Sequence, residues 1–218
     1  MKSKNKCFHL QIETIDDVIE GWRFRHGWTV LATQSIQTSY KRTVLGPFWI
    51  SIQQIIFILG MGFVYSQLFD VSTSKLIPII AFGVSIWSFI SHLIMNGANV
   101  YILSASEIKS SDLPLTFYIF RSLCFNFYTY LHSSLSLICI PILFDDSPSL
   151  ISVLTTPILI FVLLLYGLFF SMWLAPICTR YRDVATSIQV FVLLLFLCSP
   201  IHWESEQLIE YKWMESNT

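Results

Sequence analysis

The chain has 218 residues, of which 54% are hydrophobic and 12% charged, with a formal net charge of −1 and a mean hydropathy of +0.63. A soluble domain carries about 25% charged residues, so this composition excludes an ordinary water-soluble enzyme and names a bilayer as the main solvent. The net charge says nothing about partners, because in a membrane protein the placement of Lys and Arg matters more than the sum, and no nucleic-acid partner is expected.

In chain order, residues 1–43 form an N-terminal segment. Lys2, Lys4 and Lys6 precede polar and acidic residues rather than the apolar core of a cleaved signal peptide, so the first hydrophobic run reads as a retained anchor. Residues 14–42 mix Ile15, Val18, Ile19, Trp22, Val30, Leu31 and Ile36 with Arg23, Arg25, Lys41 and Arg42. This pattern predicts an amphipathic helix in the membrane interface, the alternative being a solvated cytoplasmic helix. A spanning helix needs about 20 mostly apolar residues, and five stretches come close: 44–69, 76–103, 115–144, 150–176 and 184–200. The expected fold is therefore an all-α, polytopic transmembrane bundle.

Counted from Leu113, the third run extends about 48 Å as helix, well beyond the hydrocarbon. Its first two turns should project from the membrane, with Ser110, Ser111 and Asp112 offering a cap and Pro114 in the first turn. The fifth run reaches only about 25 Å before Pro200 stops it. Residues 201–218 are expected to form a re-entrant or periplasmic tail.

Ten of the 13 Lys and Arg residues lie before span one or in the loops after spans two and four. Lys75 and Lys212 fall on the other side, and Arg121 sits near the inner end of span three. The bias places the N-terminus in the cytoplasm. Arg121 should snorkel or pair there, the alternative being a substrate contact. Five cysteines without a C-x-x-C pair predict neither disulfide nor metal site.

In span two, Ser85, Ser88, His92, Asn96 and Asn99 fall within one arc of about 80°. In span three Ser122, Asn126, Thr129, Ser133 and Ser136 repeat the pattern. Such stripes avoid lipid, either as interhelical hydrogen bonds or as the wall of a hydrated path. Span four, whose only polar group between Ile158 and Phe170 is the Tyr166 hydroxyl, is expected at the lipid-facing periphery. No Asp or Glu lies within the apolar runs, which argues against an intramembrane enzyme or an ion-coupled carrier. No G-x-x-x-x-G-K-[ST] occurs either, so the energy for any transport must come from another chain.

Two motifs resemble a known family. Tyr40, Lys41, Arg42, Thr43, Val44, Leu45, Gly46, Pro47, Phe48 and Trp49 are similar to the start of span one in ABC-2 type permeases of polysaccharide and polyol-phosphate export. Thr179 to Val184, with Ser199 and Pro200 beyond, resemble that family's R-Y-R-D-V before span five and the S-P after it. The resemblance implies a multi-pass subunit of a bacterial inner membrane that is not itself an enzyme. Against the six spans that it also implies, the chain is expected to be truncated or to have lost its last helix. It implies a homodimer of permeases with two ATP-binding subunits, membrane lipid as surroundings, and a polyprenyl-linked glycan of the O-antigen or lipopolysaccharide type as substrate.

ATP and Mg2+ are then expected on the partner and no cofactor on this chain. Capsule, teichoic-acid and drug exporters of the same superfamily are the alternatives, followed by a membrane enzyme acting on lipid or glycan. The sugars of the glycan that the resemblance implies offer C–H faces to aromatic rings and hydroxyls to polar groups. Trp49, Gln53, Gln54, Phe57, Phe191, Phe196 and Trp203 are expected to line its path, the alternative being lipid-facing or packing roles. Arg23, Arg25, Lys41 and Arg42 would attract the anionic head group. Glu107, Lys109, Asp112, Arg180, Arg182 and Asp183 would meet the ATPase subunit.

Overall fold

The computed structural model describes residues 15–144 and 150–199, all helix and connecting turns with no strand among them. The N-terminal lysines, loop 145–149, Trp203 and the expected tail 201–218 lie outside the described residues. Helix α1 covers residues 15–23. It is followed by α2 (Arg25–Tyr40), α3 (Phe48–Phe69), α4 (Thr73–Leu103), α5 (Ala105–Ser110), α6 (Leu115–Ser133), α7 (Leu135–Phe144), α8 (Leu150–Arg180) and α9 (Arg182–Cys198).

Four stretches are long and apolar enough to cross a membrane: Phe48–Phe69, Thr73–Ser110, Leu115–Phe144 and Leu154–Arg180. The chain is an all-α polytopic bundle. Helix α9, the fifth expected span, has 17 described residues, about 25 Å of rise. Large apolar side chains on the outside, such as Phe161, Tyr166, Phe169 and Trp173, are more than 60% exposed. Hydrocarbon tolerates such a surface and water does not.

The backbone breaks have local causes. Between α3 and the turn before it, Gly46 takes φ +56°, a left-handed conformation that costs glycine little. Pro47 follows as the helix start. This accounts structurally for the Leu45, Gly46, Pro47 run. The long third span is interrupted at Ser134. There the hydroxyls of Ser133, Ser134 and Ser136 donate to the carbonyls of Tyr130, Leu131 and Ser133, three residues back in each case. Side chains that compete for helix carbonyls in this way bend the helix.

Helix α4 is the common wall, packing against α3, α6, α7, α8 and α9. Its contact with α8 is close because small residues meet there: Gly97 faces Ser171, and Gly167 faces Leu93 and Leu123. Ala98, Ala175 and Cys178 are fully buried at the same end of the pair. Without a hydrophobic drive between helices in lipid, such approach is what gains dispersion contacts. Span four thus differs from the wholly peripheral helix expected of it: one face is lipid-like, and the stripe Gly167, Ser171, Ala175, Cys178 is packed against the bundle. Helix α2 runs beside α6 in the same direction, with Trp28 stacked on Phe120 at 5.8 Å and Thr33 further along beside Tyr128.

A side chain added at Gly97 has no room, whereas Gly60 on α3 has nothing within 4 Å. Gly97→Leu should therefore destabilise the detergent-solubilised monomer by about 1–3 kcal/mol, the usual cost of overpacking. Gly60→Leu should leave its thermal unfolding unchanged.

Candidate functional site

Two regions carry the sequence-predicted residues: a polar elbow at the end of the bundle nearest the N-terminus, and the outward face of α3. The elbow is built on the first turns of α6. A helix start leaves backbone N–H groups without partners, and Pro114, the N-cap, supplies no side chain to satisfy them. Asp17 of α1 does so from 98 residues away. Its two carboxylate oxygens accept from Leu115 N at 3.3 Å and Thr116 N at 3.0 Å, and its carbonyl accepts from Thr116 Oγ1 at 2.6 Å. A carboxylate there also meets the positive end of the helix dipole. Gly21, one turn on, lets α1 approach, since a Cβ at that position would collide with Thr116.

This corrects the expected cap. Ser110, Ser111 and Asp112 do not cap α6. Ser110 and Ser111 turn back to the Glu107 carbonyl, and Asp112 is exposed. Arg121 pairs with Glu107 and donates through Nη2 to Ser104 Oγ at 2.8 Å. Pairing, rather than snorkelling, is its role here.

The residues assigned to an ATPase contact, Glu107, Lys109, Asp112, Arg180, Arg182 and Asp183, are all exposed. Arg180, Arg182 and Asp183 sit at the α8–α9 corner, where Leu174 and Cys178 of α8 and Ala185 of α9 pack on Ala98 of α4. Asp183 is in the first turn of α9 rather than its N-cap, which is Tyr181. The Arg180 guanidinium lies over the Tyr181 ring at 5.6 Å. The proposed head-group residues are exposed but fall into two pairs. Arg23 and Arg25 stand at one end of α2 and Lys41 and Arg42 at the other, separated by a helix of about 24 Å.

The expected path residues divide. Trp49, Gln53 and Phe57 are exposed along one stripe of α3, at the i, i+4, i+8 spacing of a single helix face. Gly60 and Gln67 continue that stripe, and the seven-residue interval from Gln53 to Gly60 to Gln67 is its signal in the sequence. Phe191 is exposed on α9, and Phe196 lies 5.8 Å from Trp87. Gln54 does not belong with them. Its Nε2 donates to Ser85 Oγ at 2.6 Å and Ser136 Oγ at 3.2 Å, tying α3 to α4 and α7.

The polar stripes join in the same way. Asn96 Nδ2 donates to Asn126 Oδ1 at 2.5 Å, and Ser51 Oγ to the His132 carbonyl at 2.5 Å. For Ser85, Asn96, Asn126 and Ser136 the contacts are interhelical hydrogen bonds, the first of the two readings open for the stripes, whereas Asn99, Thr129 and Ser133 donate to carbonyls of their own helices. His92 is exposed on the single chain. Among the described residues no group of three or more His, Cys, Asp or Glu is placed to hold a metal ion.

The Asp17 cap carries a direct test. Asp17→Ala should cost about 0.5–2 kcal/mol, the range for losing a helix cap. Amide hydrogen exchange should rise at 115–118 while the α4–α8 contact keeps its protection.

No protein-family model matches the chain. It is 18% identical over 186 residues to the O-antigen export system permease protein RfbA of Klebsiella pneumoniae, an alignment that spans 85% of this chain and 72% of that protein. The chain is thus a multi-pass helical membrane protein with distant similarity to an export permease.

Proposed function

We propose that this chain is the membrane-spanning permease of an ABC-type exporter, moving a lipid-linked surface polysaccharide of the O-antigen type across a bacterial inner membrane. The observation that carries this reading is the similarity to an O-antigen export permease along 85% of the chain, over a bundle with four helices long and apolar enough to span a membrane. The charge distribution supports the orientation. Arg23, Arg25, Lys109, Arg180 and Arg182 belong to the end of the bundle that carries α1, α5 and the α8–α9 corner, Lys41 and Arg42 lie a helix length away at the entry to α3, and Lys75 lies beyond the far end of α3. Under the positive-inside rule the first end is cytoplasmic.

On this reading ATP and Mg2+ are held by a separate ATPase subunit, which bears on α5 and the α8–α9 corner. The passage forms between two copies of the chain. Support for a second copy comes from α3, which exposes Gln53 and Gln67 among apolar residues. Polar side chains in hydrocarbon require a partner or water. Trp49 and Phe57, on the same stripe, would then offer ring faces to the sugars.

Two measurements test the proposal. Deleting the gene should trap lipid-linked glycan inside the cell and deplete the surface polymer; normal surface polymer in a host without a second exporter sinks it. A Gln53→Cys variant should form a disulfide-linked dimer in native membranes, while Phe161→Cys, on the outward face of α8, should remain monomeric. A monomer in both cases removes the two-copy passage.

A further inference from the structure

Helix α5 is expected to meet the ATPase, yet none of its six residues is buried. Apolar packing contributes little beyond Ile108, which leans on the main core cluster. Polar contacts hold it instead, and they converge on one turn of α6. At its start, Ser104 is 1% exposed and its Oγ accepts from Arg121 Nη2. In its middle, the Glu107 carboxylate pairs with Arg121 Nη1. After its end, Ser111 Oγ donates to the Glu107 carbonyl at 2.8 Å and lies 2.7 Å from the Tyr118 hydroxyl. With the Ser111 proton committed to Glu107, Tyr118 is the donor in that second bond. Tyr118 is itself 1% exposed, and its ring lies under the Arg121 guanidinium at 5.5 Å.

We infer that Arg121 and Glu107 are positioning residues that lock α5 to the first turns of α6, so that a push on α5 moves α6 instead of bending the elbow at Ser104. The inference rests on the exporter reading above. An isolated ion pair at a surface holds its partners loosely. Arg121 is not isolated: its planar fork is engaged by α5 and the elbow and backed by a ring, which fixes direction as well as distance. The carboxylate of Glu107, though its side chain is 52% exposed, is therefore already engaged by Arg121, and its expected role as a direct ATPase contact passes to neighbours such as Lys109. On the other side of the same turn Asp17 holds α1 to Leu115 and Thr116. Motion of α6 then reaches α4 and α8, against which it packs, and α7, into which it continues.

The test uses the full chain co-expressed with its ATPase in a host lacking the native permease. It records the ATPase that co-purifies and the surface polymer made per bound ATPase. Glu107→Gln, Glu107→Arg and Arg121→Glu should retain the ATPase but lower export per bound ATPase by about tenfold, within the range of a typical coupling free energy. The double variant Glu107→Arg with Arg121→Glu should return it close to the wild-type level, a rescue that simple loss of folding does not give. Unchanged export from Glu107→Gln or Glu107→Arg, or a folded, ATPase-bound double variant without rescue, overturns the inference alone. Wild-type chain that binds no ATPase overturns the exporter reading and this inference with it.

Discussion

Helix α4 touches six other helices, α3 and α5 to α9, and small residues stand where α3 and α8 cross it. In water, burying apolar area would draw helices together whatever their shape, but lipid tails are as apolar as leucine and give no such drive. Cohesion then depends on how closely backbones approach. Gly97 against Ser171, Gly167 against Leu93 and Leu123, and Gly62 against Ile77 are positions where a single added carbon meets a neighbour. The other contacts of the bundle, including the turn of α6 that holds α1 and α5, are positioned by this close stacking.

A second constraint is the cost of an unpartnered polar group in hydrocarbon. Gln54 with Ser85 and Ser136, and Asn96 with Asn126, answer it by bonding across helices. Gln53, one residue from Gln54, is exposed. Adjacent residues on a helix point about 100° apart, so two glutamines identical in chemistry differ in setting: one pins α3 to its neighbours, the other faces outward. The polar elbow follows the same rule at the membrane boundary, where the start of α6 has donors that its own N-cap proline cannot satisfy.

Helix class, approximate spans and the clustering of basic residues were legible in the sequence, because hydropathy and charge act along the chain over windows of about 20 residues. The polar stripes of α4 and α6 were legible as stripes, since a helix maps spacing onto angle. Which of their two readings holds was not, because spacing says nothing about what lies opposite. The cap of α6 was misassigned to Ser110–Asp112 for a related reason: local sequence offers nearby candidates, whereas the group that acts, Asp17, is distant in sequence and adjacent only after α1 has packed.

The sequence by itself thus determined that this protein is a bundle of long apolar helices with every basic residue except Arg121 outside the apolar runs. Solvent preference and charge placement are properties of each segment alone. Tertiary structure decided which face of each helix is satisfied from within and which is left outward, that Arg121 closes on Glu107, and that Asp17 caps the start of α6. Those outcomes depend on distances between segments, and these are set by close packing at a few small residues rather than by any residue's own preference.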